Sequence, residues 1–358
     1  MKLKIREFCI RCGMCEDLFP RLFKLNTKDD CIDILHDVIP PELEEDAKKA
    51  IAACAVTAIF VEGTQEVQEI RRIDSDLEVD VAVMGSGLAG LSAAVTLAGR
   101  GARVAVFEKR PFPGGSVSNT PIMISSTRRD PDYRAAAFKS FFEYNNYNAN
   151  PGVVRAYVNQ SGRIPEYMAY IGEGMTLVHK REREDIGTER NHLSGFPVGT
   201  DVGDNYLMEN RGNGHGAALV IRKSAAKLEE LGGALYLDSP AVELLQGADG
   251  AVTGLKAKNN RTGETYAVRA KAVVLASGGF PEDREMVKRY TGHTFTDVNC
   301  SDGGDVLFNY FPGSRLTGDG IKLAWAAGGA KGAMGINGHN LVPGPGIIGN
   351  TPWVTFNE

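Results

Sequence analysis

The chain has 358 residues, of which 43% are hydrophobic and 24% charged, so it holds about two domains at roughly 150 residues each and is neither disordered nor fibrous. The net charge is -5 with no basic stripe, which argues against a nucleic-acid partner. It lacks the run of about 18 apolar residues that a transmembrane segment needs, and MKLKIREFCI turns charged too early for a signal peptide, so a cytoplasmic protein is expected.

Residues 1–75 carry 11 Lys or Arg against 15 Asp or Glu, whereas the remainder holds 29 against 30. The acidic excess therefore belongs to the N-terminal end. Five of the six cysteines lie there too, and in a reducing compartment such clustering points to metal ligation rather than disulfides.

Cys9, Cys12 and Cys15 form C-x2-C-x2-C, and Cys54 follows after 38 intervening residues. Three thiolates on one tight loop, closed by a fourth from a distant element, are what a cubane iron–sulfur cluster requires. Zinc also accepts four thiolates, but its ribbons usually bring two separated C-x2-C pairs. From Pro40 and Pro41 onward, acids and then Lys48 and Lys49 predict a helix that delivers Cys54. Cys31 and Cys300 fall outside this pattern and read as small core residues. Residues 63–77 are polar and weakly periodic, as a linker or a strap across a domain surface would be.

Next come an apolar run at Asp80–Met84, a small-residue helix at Leu88–Ala98 and a second strand at Arg103–Glu108, a βαβ opening. The turn inside it is G-x-G-x-x-G: Gly85, Ser86, Gly87, Leu88, Ala89 and Gly90. Its glycines suit a tight turn, approach to a pyrophosphate and close helix packing. The helix N-terminus adds a field that favours phosphate. Glu108 ends the second strand, where a carboxylate accepts ribose hydroxyls and repels a 2′-phosphate.

Residues 131–185 read as mostly helical with a break at Asn150-Pro151-Gly152, and 186–216 as loop. A helix over 217–231, a strand over 234–237 and a hairpin of 242–245 with 251–256 follow. A buried strand over 270–276 stops at Ser277-Gly278-Gly279.

The N-terminal segment resembles ferredoxins that carry one 4Fe-4S cluster. The cysteine motif, the segment Phe19-Pro20-Arg21-Leu22-Phe23 and the late Cys54-Ala55-Val56-Thr57-Ala58-Ile59 carry the likeness, with Ala55 where that family has proline. Residues 78–358 resemble FAD-dependent flavoproteins of the fumarate reductase and succinate dehydrogenase family, in particular the flavocytochrome c-like branch. Lys109-Arg110-Pro111-Phe112-Pro113-Gly114-Gly115-Ser116, the string RAKAVVLASGGF at 269–280 and Thr317-Gly318-Asp319-Gly320 carry that likeness.

The resemblance implies that Lys109, Gly114, Gly115, Ser116, Ser118, Asn119 and Thr120 line the FAD diphosphate and approach the isoalloxazine. It implies a cofactor turn at Ala276, Ser277, Gly278 and Gly279, and an adenine contact at the Val242 backbone. Asp319 is implied as a flavin contact, with helix N-capping the equal alternative. His339, in Gly338-His339-Asn340-Leu341-Val342-Pro343, is implied as a substrate-carboxylate contact, and a solvent-facing loop histidine is the other reading.

The expected fold class is α/β: a small α+β ferredoxin-like domain (1–62), a linker (63–77) and a Rossmann-like FAD-binding domain with helical and β insertions (78–358). Residues 335–358 are expected to begin a capping or substrate domain, and the end at Glu358 reads as a fragment boundary with the catalytic acid beyond it. The implied function passes electrons from the cluster to FAD and on to an activated alkene, a fumarate- or enoate-like acid or a steroid enone, with an electron-donor protein as partner. The alternative is a non-catalytic electron-transfer subunit serving a partner reductase.

Overall fold

A computed structural model describes residues 1–7, 9, 14–26, 28–29, 31–54, 57–63, 70–115, 123–126, 129, 131–144, 147, 150–172, 177–179, 204–208, 216–280, 282–291, 316–331, 337–338 and 354–355. The chain divides into two compact units. One combines 1–121, 210–287 and 293–330, and the other 122–209, 288–292 and 331–358.

The first unit opens with β1 (Leu3–Ile5), α1 (Met14–Leu18), β2 (Phe23–Asn26), β3 (Cys31–Ile34), α2 (Glu44–Ala53) and β4 (Ile59–Val61). Strand β1 pairs antiparallel with β4, Leu3 opposite Val61, and so ties the two ends of this segment together. Leu22, Phe23, Leu43 and Ala47 are buried at its centre. The expected helix forms: Pro41 starts a 3-10 turn, Glu44, Glu45 and Asp46 occupy the first turn of α2, and Cys54 is its C-cap in extended backbone.

Residues 70–76 are a strap. The backbone of Ile73, a fully buried residue, bonds on one side to Ser239 Oγ at 3.1 Å and on the other to Asn259 Nδ2 at 2.8 Å. Arg72 pairs with Asp238 at 2.8 Å. These bonds hold the strap to the sheet that follows.

The dinucleotide-type core begins with β5 (Leu77–Met84), α3 (Leu88–Ala98) and β6 (Val104–Phe107). All of β6 is buried, and α3 buries Gly90, Leu91, Ala94, Val95 and Ala98, a single stripe at helical spacing. The second unit contributes β7 (Met123–Ser126), α4 (Pro131–Tyr144), α5 (Pro151–Gln160), α6 (Ile164–Ile171), β8 (Leu177–His179) and β9 (Asp204–Met208). Asn150 breaks the helical stretch and caps α5, its side chain accepting from Gly152 N at 2.9 Å. Two expectations fail here. Residues 177–179 are strand rather than helix, and 204–208 are strand rather than loop; each pairs with partners remote in sequence, in the order β7-β9-β8. Local periodicity carries no trace of such pairing.

The first unit resumes with α7 (Gly216–Glu230), β10 (Ala234–Tyr236), β11 (Ala241–Gln246), β12 (Val252–Lys258), β13 (Thr265–Leu275), α8 (Arg284–Thr291) and α9 (Asp319–Ala326). Its six-stranded sheet has the order β10-β6-β5-β13-β12-β11. The strands from β10 to β13 run parallel, and β12 and β11 add antiparallel edges. Strand β13 starts earlier than its apolar run suggests, because Thr265–Arg269 pair with β12 before the rest reaches β5. The strands β5 and β13 end together at Met84 and Leu275, which puts both following turns at one edge of the sheet.

Because Ile73 is fully buried although its neighbours look like linker, Ile73→Ala should cost about 2–5 kcal/mol of unfolding free energy. Chemical denaturation followed by circular dichroism reads this directly. A loss under about 0.5 kcal/mol would mark the segment as a surface linker.

Candidate functional site

The turn after β5 is shaped by backbone approach. Gly85 has φ +99, and a Cβ there would lie 2.6 Å from the Ala276 carbonyl oxygen at the end of β13. A Cβ at Gly90 would stand 2.0 Å from the Gly85 carbonyl oxygen. These two residues have to be glycine for the turn to close. Gly87 differs: its nearest approach is to Gly115 Cα at 3.8 Å, an ordinary contact. Gly87 and Gly115 therefore pack backbone to backbone, a Cβ at Gly115 standing 3.3 Å from Gly87 Cα, and together they form a cradle free of side chains. Gly87 is also the N-cap of α3 and offers the helix no side-chain bond, which leaves the first-turn amides for an anion. Leu88 and Ala89 are the first residues of that turn.

Ser86 and Glu108 brace the cradle. Glu108 Oε2 accepts from Ser86 N at 2.9 Å and Ser86 Oγ at 2.8 Å, and Oε1 accepts from Arg110 N at 3.0 Å. Ser86 Oγ in turn accepts from Gly114 N at 3.0 Å. The glycine turn and the 109–115 loop are thus fastened through one buried carboxylate. Arg110, also buried, lies 3.5 Å from Glu108 Oε1 and stacks 4.7 Å from the Phe112 ring centroid. The sequence reading assigned Glu108 to ribose hydroxyls. Both of its oxygens meet protein donors, so a ribose would share a carboxylate already held in place.

The third side is built from the end of β13 and the start of α9. Ser277 Oγ accepts from Gly320 N at 3.0 Å, and Gly318 N donates to Gly279 O at 3.0 Å. Gly278 has φ +78 in this turn. Gly318, not Asp319, is the cap residue of α9. The Asp319 side chain instead accepts from Lys109 Nζ at 2.8 Å and from Thr317 Oγ1 at 2.7 Å. Burial pushes the Asp319 carboxyl up, but the bonds from Lys109 and Thr317 outweigh it and hold the group below its usual value. The capping reading of Asp319 is therefore replaced by an ion pair that links the 109–115 loop to α9. Val242 lies at a register irregularity between Ala241 and Glu243 on edge strand β11, half-exposed.

The cysteine site gathers around one apolar core. Cys9, Cys15 and Cys54 all pack against the buried cluster of Leu22, Phe23 and Leu43, and none is in a disulfide. Cys54 Sγ accepts from Ala58 N at 3.2 Å. Arg222, from α7, donates to the Cys54 carbonyl oxygen at 3.1 Å. Burial pushes the Arg222 guanidinium below its ordinary value. Cys31 is not a core residue: it lies on the β2–β3 hairpin, outside that cluster, with its thiol 3.6 Å from Asp33 Oδ1. Its alternation along a two-residue-period strand turns it outward.

Among the described residues no three ligating side chains converge tightly enough to mark a metal site by themselves. Cys12, Ser116, Asn119, Thr120 and His339 lie outside the described residues, as do Ser118 and Cys300. Ser86 as a brace and Arg222 as a partner of the Cys54 carbonyl were not singled out from sequence. The first is visible only as a small polar residue inside the glycine motif, and the second has no local signal.

The glycine turn at the N-terminus of α3 has the chemistry of a dinucleotide pyrophosphate seat, and Cys9, Cys15 and Cys54 share one apolar core. Fold and site together define a flavoprotein with a fused cluster-binding module. The chain belongs to the FAD binding domain family, whose model matches residues 80–337, and residues 6–61 match the 4Fe-4S single cluster domain of Ferredoxin I. Its cofactors are FAD and a 4Fe-4S cluster. A vinyl phenol reductase of Lactiplantibacillus plantarum is 27% identical over 256 residues, 70% of this chain and 45% of that protein. A urocanate reductase of Eggerthella lenta is 30% identical over 220 residues, 60% of this chain and 34% of that protein. The structure of the open conformation of a flavocytochrome c3 fumarate reductase matches with a TM-score of 0.53 at 19% identity, over 85% of this chain and 46% of that one, a likeness of fold. The chain spans less than half the length of these relatives. Among the described residues, no helix is long and apolar enough to cross a membrane.

Two predictions follow from this geometry. Gly87→Val should leave a folded protein whose FAD affinity falls tenfold or more, about 1.4 kcal/mol, because its side chain enters the cradle and not the backbone. Gly90→Ala should instead destabilise the fold by about 1–3 kcal/mol, since it meets a carbonyl oxygen. Equal unfolding by both would show that the cradle is structural and not a cofactor seat.

For the cluster, Cys54→Ser should abolish the iron content of about four per chain, whereas Cys31→Ser should retain it. Iron and sulfide assay of anaerobically purified protein distinguishes the two, and the reverse pattern would overturn the ligand assignment.

Proposed function

We propose that this chain is the electron-entry and flavin-binding portion of a reductase that moves electrons from a 4Fe-4S cluster held by Cys9, Cys12, Cys15 and Cys54 to FAD, and from FAD to an activated alkene. The observation that carries this reading is one apolar contact: Cys9 and Cys54 pack on Ala58 and Phe112, both buried. Phe112 stands two residues from Gly114, in the loop that packs on Gly87. A packed apolar contact between the cysteines and the flavin-side loop supports electron transfer from one to the other. The similarity to reductases of vinyl phenol and urocanate supports an alkene as the acceptor.

When bound, the cluster supplies single electrons and the flavin supplies a hydride. The protein's own part is orientation and electrostatics. Gly87, Gly115 and the α3 amides seat the pyrophosphate, Glu108 and Ser86 hold the two loops at a fixed gap, and the Val242 backbone takes the adenine. Ser116, Asn119 and Thr120 are the residues offered to the isoalloxazine, along with the turn at Ala276–Gly279. Phe112 excludes water between the two redox sites. The Lys109–Asp319 ion pair, whose carboxyl is held below its usual value, is fixed beside the loop and sets the local field there. His339 is the first candidate to hold a substrate carboxylate. Fumarate-like acids, other enoates and steroid enones are the substrate classes, a soluble protein is the electron donor, and the cytoplasm is the compartment that keeps such thiols reduced.

The test is anaerobic. The full chain, loaded with both cofactors and reduced with dithionite, is mixed with fumarate, urocanate and 4-vinylphenol in turn. Electrons fed in through the cluster should reach the flavin about tenfold or more slowly in Phe112→Ala, and reoxidation of the flavin by at least one of these alkenes is expected when this portion is joined to the further chain that supplies the catalytic acid. If none of the alkenes oxidises the flavin while a second redox protein does, the chain is an electron-transfer subunit instead.

A further inference from the structure

The guanidinium of Arg222 is half-buried, and among the described residues no carboxylate pairs with it. Its neighbours on α7, Val220, Ile221 and Ser224, are fully buried, so the helix is anchored and its side chain is held toward the cysteine unit. The bond it makes is to the carbonyl oxygen of Cys54, 168 residues away in sequence. A cation drawn out of water without an anion is costly, and a neutral Gln or Asn would make the same bond to a carbonyl more cheaply. The cost is explained if an anion occupies the space beside Cys54. A cubane ligated by four thiolates is such an anion, and its negative charge grows by one when it accepts an electron.

Resting on the cofactor reading above, we propose that Arg222 is a positioning residue through which the flavin-binding domain supplies the counter-charge of the iron–sulfur cluster and raises its reduction potential. The direction follows from charge alone. A fixed cation near the ligand stabilises the reduced, more negative cluster over the oxidised one. The Ala58 amide that donates to Cys54 Sγ acts in the same sense from within the cysteine unit. Arg222 differs because it arrives from the other domain. The cluster's potential is therefore set in part by the segment that also forms the flavin's scaffold.

The experiment is an anaerobic redox titration of the full, cofactor-loaded chain, with the reduced cluster followed by electron paramagnetic resonance, for wild type, Arg222→Gln and Arg222→Lys. In Arg222→Gln the equilibrium for cluster reduction should fall about tenfold, a midpoint lower by about 59 mV, with iron content and the flavin midpoint unchanged. Arg222→Lys, which keeps the charge, should restore most of that difference. An unchanged midpoint in Arg222→Gln, or an equal fall in Arg222→Lys, would overturn the proposal and leave Arg222 as a docking bond. Should Arg222→Gln fail to retain its cluster, Arg222→Lys decides: a retained cluster at the wild-type midpoint supports the charge role, and loss of the cluster there too overturns it. The titration reads the cluster directly, so failure of alkene reduction would not affect its result.

Discussion

The approach of the Gly85 turn to the end of β13 is the constraint on which the cofactor side of this protein depends. With Gly85 against the Ala276 carbonyl and Gly90 against the Gly85 carbonyl, two central strands end at one height and the N-terminus of α3 sits over the sheet edge. Everything that faces the cradle is fixed relative to that point. Gly114 and Gly115 are held to it by Ser86 and Glu108, and the start of α9 is held to it by Ser277. Side chains are excluded from the turn for steric reasons, and from the cradle because a ligand needs the room.

The same carboxylate begins a path that runs out of the flavin core. Glu108 anchors Arg110, Arg110 stacks on Phe112, and Phe112 packs with Ala58 against Cys9 and Cys54. Arg222 closes the other side of Cys54 from α7. The contact between the cysteine segment and the nucleotide-binding sheet thus has an apolar centre with a half-buried cation at its margin.

Much of this was legible beforehand, and for definable reasons. The C-x2-C-x2-C spacing, the helix that ends at Cys54 and the strand–glycine–helix opening are local patterns, each set by bonds within about a dozen residues. The family match at 80–337 and 6–61 bears out the resemblance drawn from them. What was illegible depends on distant partners. Ile73 reads as part of a polar linker and is fully buried, because Ser239 and Asn259 hold the strap to the sheet. Strands β8 and β9 carry no periodic signal of their own and exist through each other. Asp319 reads equally as a cap and as a cofactor contact, and Lys109 decides its orientation.

By itself the sequence determined the two modules, the cofactor class of each and the residue types that have to stand at the glycine turn and the cysteine loop. Those features are short-range: a carbonyl within reach of a missing Cβ, or three thiols on one turn, is encoded by neighbours in the chain. Only the tertiary structure decided that Glu108 braces two loops, and that an arginine from α7 meets the carbonyl of Cys54. Each of these rests on a pairing across more than a strand's length of chain, where charge, burial and shape are set by whichever distant segment packs there, and no local pattern carries that information.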